Sequence, residues 1–313
     1  MGLIFLYFAV AFLSFVKALR GRGSYLFSLL LLVHTGGLVW YSFFVKRPPV
    51  ATMQETFFYV AWIVALAIFF LKKHLERLSV SKGTACIVTG GEEVPLKALI
   101  STGSLSCGFL LLLAASFTSL KLELEPVLNA PLWLMIHVMV IVASYGLLLI
   151  SALISHAYLI NEVIAKLKVR SLSFATTLNQ KEGLMKLLFF CNFAGVGLLT
   201  IGTILGGMWA SRTWGSFWSW DVKESWAFIS ICIYLSALHM HSFKTSDFSV
   251  ISLISSVGFL SITFTWYGIN YVLKKGMHTY GFGDGGVLYY LLFLIGDFLL
   301  LLFLGGVIKL KVR

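Results

Sequence analysis

Long apolar runs separated by short polar segments dominate the chain. Because only a helix satisfies its own backbone polar groups in lipid, about 20 consecutive apolar residues are enough to cross a bilayer as a helix. The pattern predicts an all-α, polytopic membrane bundle of about nine transmembrane helices, with a short first helix and a fifth that protrudes. The nine predicted spans are residues 3–16, 25–45, 55–71, 99–118, 131–160, 186–208, 224–243, 249–272 and 287–308.

Composition supports a membrane protein and excludes a soluble one. Hydrophobic residues make up 59% of the chain and charged residues 12%, whereas soluble domains average about 25% charged residues. The sizeable segments outside the predicted helices are residues 72–98 and 161–185, which leave no room for a separate catalytic domain. We therefore predict that residues 1–313 form a single polytopic domain, whose chemistry lies within the helices or on short outer loops.

The basic residues predict the orientation of the bundle. Of the 24 Lys and Arg residues, 17 fall on one side of the predicted membrane and seven on the other. By the positive-inside rule, the N-terminus lies outside and the C-terminus in the cytoplasm. The net charge of +11 is spread between apolar runs rather than over one soluble face, so we expect no nucleic-acid partner. The first apolar run lacks a preceding Lys or Arg and a following cleavage site, so we interpret it as a span rather than a signal peptide.

Tryptophan is concentrated in one predicted outer segment, residues 206–226 (GGMWASRTWGSFWSWDVKESW). Five of the nine tryptophans lie within 18 residues there. Trp214 and Trp218 are four residues apart, so a helical turn would place both on one face, and Gly215 would leave space for a flat apolar ligand. The alternative is an interfacial aromatic belt. Asp221 and Glu224 have the spacing of a capping box at the start of the seventh helix.

The cysteines predict no chemistry of their own. Cys86, Cys107, Cys191 and Cys232 lie far apart, without the Cys-x-x-Cys spacing of a thiol-redox motif or of a covalent haem site. Redox chemistry at this protein would therefore require a bound group.

The tryptophan segment carries a specific resemblance to a known family. WGSFWSWDVKESW resembles the WWD signature of haem-handling membrane proteins and, in its fuller form, the CcsA (ResC) family of System II cytochrome c biogenesis. PPVATMQETFFYVAW, residues 48–62, is similar to the family element after the second span, although Thr52 and Gln54 stand where Asn and Tyr are common. PLWLMIHV with His137 and GMHTYG with His278 resemble the family's two outer histidine segments.

The resemblance implies a haem site on the outer face. His137 and His278 would be the axial ligands of the haem iron, and the segment containing Trp214, Gly215, Trp218, Trp220 and Asp221 would hold the macrocycle. The family's intramembrane histidine maps to His239, a third axial ligand, with His241 in ALHMH as the alternative. Propionates would find cations nearby on the same face, at Arg212, Lys223, Lys274 and Lys275, although lipid phosphates are the commoner partners of such residues.

The implied function is covalent haem attachment. The family delivers haem b outward and promotes its attachment to an apocytochrome c with a Cys-x-x-Cys-His motif, as the membrane component of a holocytochrome c synthase (haem lyase). It works with a CcsB (ResB) partner that contributes a second intramembrane histidine. We expect a bacterial cytoplasmic membrane, with the thylakoid membrane as the alternative. The alternative functions are a CcmC-type haem chaperone or exporter without attachment activity, a HemX-like regulator, and a solute transporter with an aromatic belt.

The remaining histidines have other interpretations. His34 lies about nine residues into the second predicted span and is either a ligand or a satisfied core histidine; we favour the core interpretation. His74 and His156 fall at predicted cytoplasmic helix ends, where interfacial positions are expected.

Overall fold

The computed structural model consists of helices throughout the part of the chain that it describes. That part comprises residues 2–15, 22–81, 93–116, 132–167, 178–242, 247–277 and 286–310. The helices within it are α1 (Gly2–Phe15), α2 (Arg22–Val45), α3 (Met53–Ser81), α4 (Glu93–Ser116), α5 (Leu132–Lys166), α6 (Leu178–Trp214), α7 (Val222–Ser242), α8 (Phe248–Thr263) and α9 (Val287–Leu310). Each matches one predicted span in position, so the all-α prediction is confirmed.

Six of these helices are long and apolar enough to cross a membrane, namely α2, α3, α5, α6, α8 with its continuation, and α9. Two shorter apolar stretches, Gly2–Phe12 and Ile100–Ser116, lie in α1 and α4. Helix α7 has 21 residues and is not among these six; it carries Glu224 in its first turn and His239 and His241 in its last turn. The polytopic membrane bundle is confirmed, whereas its orientation in the membrane stays a prediction.

The chain divides into two compact units, residues 1–124 and 125–313. In the first unit, α4 packs against α1 and α3, and α2 packs against α1. His34 is buried and its Nδ1 lies 3.0 Å from the hydroxyl of Tyr7, which fits the core interpretation of this histidine. The single-domain prediction for residues 1–313 stays a prediction.

The turn between α2 and α3 is fixed by one buried carboxylate. Arg47 donates two hydrogen bonds to Glu55, of 2.7 and 2.8 Å. The amide of Thr52 donates to Glu55 and the Thr52 hydroxyl accepts from the Glu55 amide, each at 3.2 Å, which is a reciprocal capping box at the start of α3. Thr52, one of the two departures from the family pattern, therefore has a defined role in this turn.

In the second unit, α5 packs along α6, and α8 lies against α5, α7 and α9. Ser151 of α5, Asn192 of α6 and Ser255 of α8 form a buried hydrogen-bonded chain across three helices. Such bonds hold apolar helices together where no hydrophobic force favours one contact over another.

His156 has a different environment from the interfacial one predicted. Its Nε2 lies 3.0 Å from Oδ1 of Asp297, in the middle of α9, and its Nδ1 lies 2.8 Å from the carbonyl oxygen of Ala152. The two side chains are only 20% and 17% exposed. The interfacial interpretation of His156 was wrong, because the facing charge on α9 draws the imidazole into the helix packing.

After Thr263, α8 continues as a π-helical segment, Phe264–Leu273. Its last turn closes with a 2.9 Å hydrogen bond from the Lys274 amide to the Ile269 carbonyl, five residues back. Lys274 adopts a left-handed conformation with φ of 50° and ends the helix. π-helical turns are rare in proteins, and those that do occur are often found at functional sites.

Candidate functional site

His137 lies near the start of α5 and is held against α6. Its Nδ1 is 2.6 Å from the carbonyl oxygen of Gly202. A carbonyl only accepts, so Nδ1 carries the proton and donates, and in the neutral imidazole the lone pair is then on Nε2. Metal-bound histidines are typically oriented in this way, by a hydrogen bond from the ring nitrogen that does not bind the metal.

Glycines of α6 make room for this imidazole. A Cβ at Gly206 would lie 2.5 Å from Cε1 and 2.8 Å from Nδ1 of His137, so the ring packs directly on the helix backbone. A Cβ at Gly202 would lie 2.6 Å from Cγ1 of Ile141 in α5. The two glycines are four residues apart, a spacing that lets helices approach closely in membranes.

An aromatic cluster adjoins His137 at the same ends of α5 and α6. Trp209 is 3% exposed and packs with Leu134 and the partly buried Val138 and Trp214. The rings of Trp209 and Trp214 meet edge to face, with centroids 4.8 Å apart. The Arg212 guanidinium lies 5.4 Å from the centroid of the Trp133 ring. His137 therefore lies on the helix that forms one wall of the tryptophan cluster.

The chain leaves α6 at Trp214, so the predicted helical turn through Trp214 and Trp218 was wrong. Gly215 has φ of +76°, a conformation that favours glycine and breaks the helix. The chain then folds back over α6, where a Cβ at Gly207 would lie 2.8 Å from the Phe217 ring and 2.9 Å from its carbonyl oxygen. Gly215 thus ends α6 and begins a turn. A Cβ added there would meet nothing within 4 Å, so the expected space is present, although Trp214 and Trp218 do not share one helical turn beside it.

Beyond this turn the indoles are presented at the surface. Trp218 and Trp220 are perpendicular, with ring centroids 5.7 Å apart. Trp220 is 70% exposed and has φ of +57°, an outlier for a bulky residue. The Ser225 hydroxyl donates to its carbonyl oxygen at 3.3 Å. Strained backbone conformations cluster at functional sites, where the surrounding structure maintains them.

The predicted capping box at the start of α7 is present. Glu224 accepts from the amides of Ser219 and Asp221 at 2.9 and 3.2 Å, and Asp221 accepts from the amide of Lys223 at 3.4 Å. Asp221 also accepts from the amide of Met277 at 3.0 Å. The start of α7 is therefore bonded to the chain that follows the π-helical segment.

Lys223 makes a second bond between the same two regions. It lies ahead of the apolar stretch of α7, and its Nζ donates to Oδ1 of Asn270 in the π-helical segment at 2.7 Å. Burial lowers the pKa of Lys223 to about 8, against the opposing effect of the nearby Asp221 carboxylate. Lys223 therefore serves a contact within the protein, which leaves it less suited than the exposed Lys274 and Lys275 to bind an anionic ligand.

The other predicted ligands are not brought together with His137 in the described part of the chain. His278 lies outside the described residues, directly after Met277 in the chain. His239 is exposed on the surface of α7. His241 stacks on Phe189 of α6, with ring centroids 4.4 Å apart.

Sequence reasoning missed the glycines that build this site. Gly202 and Gly206 orient His137, and Gly207 receives the segment after Trp214. Their spacing, GTILGG at residues 202–207, is a visible signal of close helix packing. The partners of those glycines are far away in sequence, so the spacing alone does not identify them.

These features define a polytopic helical membrane protein with an ordered histidine beside an exposed tryptophan segment. The family model of the cytochrome C assembly protein matches residues 23–278, and the chain belongs to this family. It is 32% identical over 262 residues to protein NrfI of Wolinella succinogenes, covering 82% of this chain but 26% of NrfI.

Similarity also extends to cytochrome c biogenesis proteins called CcsA. The chain is 30% identical over 251 residues to CcsA of Prochlorococcus marinus, covering 74% of this chain and 76% of that protein. It is 28% identical over 270 residues to CcsA of Cyanophora paradoxa, covering 74% and 79%. These relatives confirm the resemblance to the CcsA family, and membership of the cytochrome c assembly family implies haem handling.

Proposed function

We propose that this protein presents haem b at the tryptophan segment for covalent attachment to an apocytochrome c. His137 and His278 are the axial ligands of the iron, and the indoles of Trp214, Trp218 and Trp220 hold the macrocycle. The observation that carries the proposal is the bond between His137 Nδ1 and the Gly202 carbonyl, which orients an imidazole beside the tryptophan cluster. A ligand oriented in advance loses less conformational entropy on binding.

The exposure of the tryptophan segment supports the same function. Phe217 and Trp220 are 48% and 70% exposed, and the left-handed backbone at Trp220 is held by the capped start of α7. A flat porphyrin offers a large apolar surface to such rings, while its edge stays accessible to a protein substrate. The segment thus suits a site from which haem is passed on, rather than one that buries it permanently.

The proposed reaction is the addition of a thiol to a vinyl group. Each cysteine sulfur of the Cys-x-x-Cys-His motif bonds to the α-carbon of a haem vinyl, and the thiol proton is transferred to the β-carbon. No net oxidant or reductant is consumed. The apocytochrome supplies the nucleophile, so this chain contributes by holding the haem vinyl groups in a fixed position. The thiol then meets a positioned reaction partner instead of one that diffuses freely.

A second membrane protein of the CcsB type completes the proposal. His239 is exposed on α7 and belongs to the seventh predicted span, and ionisable side chains within a membrane mark functional pathways or helix contacts. We assign His239 as a third axial ligand, for a haem held against the partner's helix during transfer. The membrane proposed is the bacterial cytoplasmic membrane.

The test compares His137→Ala and His278→Ala with His156→Ala in protein purified with its partner. His156 lies in the same helix as His137 but is bonded to Asp297, so its loss tests packing of α5 without removing a proposed ligand. We expect reduced haem content and altered absorbance spectra in the first two variants and a normal spectrum in the third. Normal haem content and spectra in both ligand variants would refute the site.

Attachment is tested separately from binding. Wild-type complex is mixed with reduced haem and an apocytochrome peptide containing Cys-x-x-Cys-His, and thioether formation is followed by mass spectrometry. Thioether product is expected, in smaller amounts with either ligand variant. Haem binding without product would replace the synthase by the chaperone or exporter function.

A further inference from the structure

Asp221 joins two segments that are far apart in sequence. One segment is the exposed tryptophan turn before α7, and the other is the chain after the π-helical segment. The Met277 amide donates to Oδ1 of Asp221 at 3.0 Å across 56 residues of sequence, while Oδ2 accepts from the amide of Lys223 at 3.4 Å. Both carboxylate oxygens are therefore engaged by main-chain amides.

Gly276 is shaped to this carboxylate. Its φ of +109° lies in the region that favours glycine, and a Cβ added there would overlap Oδ1 of Asp221. The backbone at Gly276 therefore lies so close to the Asp221 carboxylate that no side chain would fit between them. Two independent features, the amide bond and the missing side chain, point to the same contact.

A second contact fixes the same segment on its other side. Lys223 donates to Oδ1 of Asn270 at 2.7 Å, and the side-chain nitrogen Nδ2 of Asn270 donates to the Trp266 carbonyl at 2.9 Å. The turn at Lys274 lies between Asn270 and Met277. Both ends of this turn are therefore bonded to the start of α7.

We infer that Asp221 is a positioning residue, which acts through the Met277 amide to fix the chain segment carrying His278 against the tryptophan segment. His278 is the next residue after Met277 in the sequence, so the anchor at Met277 is one peptide bond away from the proposed ligand. Direct contact with haem propionates is disfavoured, because a carboxylate repels them. The inference rests on the proposed role of His278 as a ligand.

The variants separate the hydrogen bond from the charge. Asp221→Asn retains one acceptor oxygen, for the Met277 amide, but loses the charge and the second acceptor that the Lys223 amide uses. Asp221→Ala removes both acceptors and the charge, and Gly276→Ala displaces the segment while leaving the carboxylate in place. Asp247→Ala is the matched control, since Asp247 precedes α8 and its side chain is 63% exposed. All four changes lie in the same unit of the protein.

The first measurement is hydrogen exchange of peptides containing Met277 in the full chain without haem. A bond to a carboxylate is typically worth about 1.5–3 kcal/mol, which corresponds to a change of roughly 10- to 150-fold in the exchange rate. We expect acceleration of about that size in Asp221→Ala and Gly276→Ala, a smaller acceleration in Asp221→Asn, which keeps a neutral acceptor, and little change in Asp247→Ala. Wild-type exchange in Asp221→Ala would overturn the inference, whether or not the protein binds haem.

The second measurement is the haem spectrum with the partner present. We expect Asp221→Ala and Gly276→Ala to reproduce the spectrum of His278→Ala, and Asp221→Asn to restore the wild-type one. Adding Asp221→Ala to His278→Ala should cause no further loss, because both act through one ligand. Two results would overturn the positioning role and indicate that Asp221 contacts haem itself. One is reduced haem content in Asp221→Asn with unchanged hydrogen exchange, and the other is additive losses of haem in the Asp221→Ala and His278→Ala double variant. Wild-type haem content and spectra in both His137→Ala and His278→Ala would refute the proposed function instead, and the exchange result stands apart from it.

Discussion

Replacement of Gly206 by Ala tests whether the packing of His137 on α6 is what orients it. The added Cβ would lie 2.5 Å from Cε1 and 3.1 Å from Nε2 of the imidazole. Carbon atoms in contact prefer about 3.5–4.0 Å, so the ring must move by roughly 1 Å. That movement breaks the 2.6 Å bond between Nδ1 and the Gly202 carbonyl.

The expected cost follows from three effects. Overpacking a filled interior costs about 1–3 kcal/mol, and a lost hydrogen bond adds about 0.5–1.5 kcal/mol. Ala is favoured over Gly within a helix by about 1 kcal/mol, which offsets part of this. We therefore expect a net destabilisation of about 0.5–3.5 kcal/mol and a larger relative loss of haem, because the ligand itself moves.

Gly197→Ala is the matched control, since it makes the same change in the same helix with nothing within 4 Å of the new Cβ. Melting of both purified variants is followed by intrinsic fluorescence, and haem content by absorbance. We expect Gly197→Ala to melt at or above the wild-type temperature with normal haem, and Gly206→Ala to melt lower with reduced haem. Equal melting temperatures and equal haem content in the two variants would refute the reasoning.

Three further changes probe other parts of the second unit. Asp297→Asn removes the carboxylate charge that faces His156 but keeps an acceptor oxygen for the imidazole. It should lower the melting temperature, at a cost below the about 3–5 kcal/mol of breaking a fully buried pair, because the two side chains are 20% and 17% exposed, while the haem spectrum stays unchanged. Trp220→Asn should preserve or raise stability, because Asn tolerates the left-handed φ of +57°, yet reduce haem content. Lys223 has a pKa of about 8 in the folded protein and about 10.4 in the unfolded chain, so the unfolded chain binds more protons between these two pH values. The free energy of unfolding should therefore rise with pH over that window, and it should rise less in Lys223→Met.

The helices and their caps were predictable because they depend on neighbouring residues. Apolar runs gave the positions of α1 to α9, and the spacing of Asp221 and Glu224 gave the cap of α7. The turn at Gly215 was misread, because spacing alone does not distinguish a helical turn from a glycine with positive φ. His156 was misplaced because its partner, Asp297, lies 141 residues away.

The class of the protein, its family and its candidate residues therefore followed from the order of residues along the chain. The lengths of apolar runs, the helix caps and the motifs each involve residues that are close together in the sequence. They can therefore be recognised from backbone hydrogen bonding and residue spacing. The packing of His137 on Gly206 and the bond from the Met277 amide to Asp221 became known only from the folded arrangement of the helices. Those contacts depend on which helix faces meet and how closely they approach. The sequence shows that a glycine lacks a side chain, but it does not show which distant residue occupies the space.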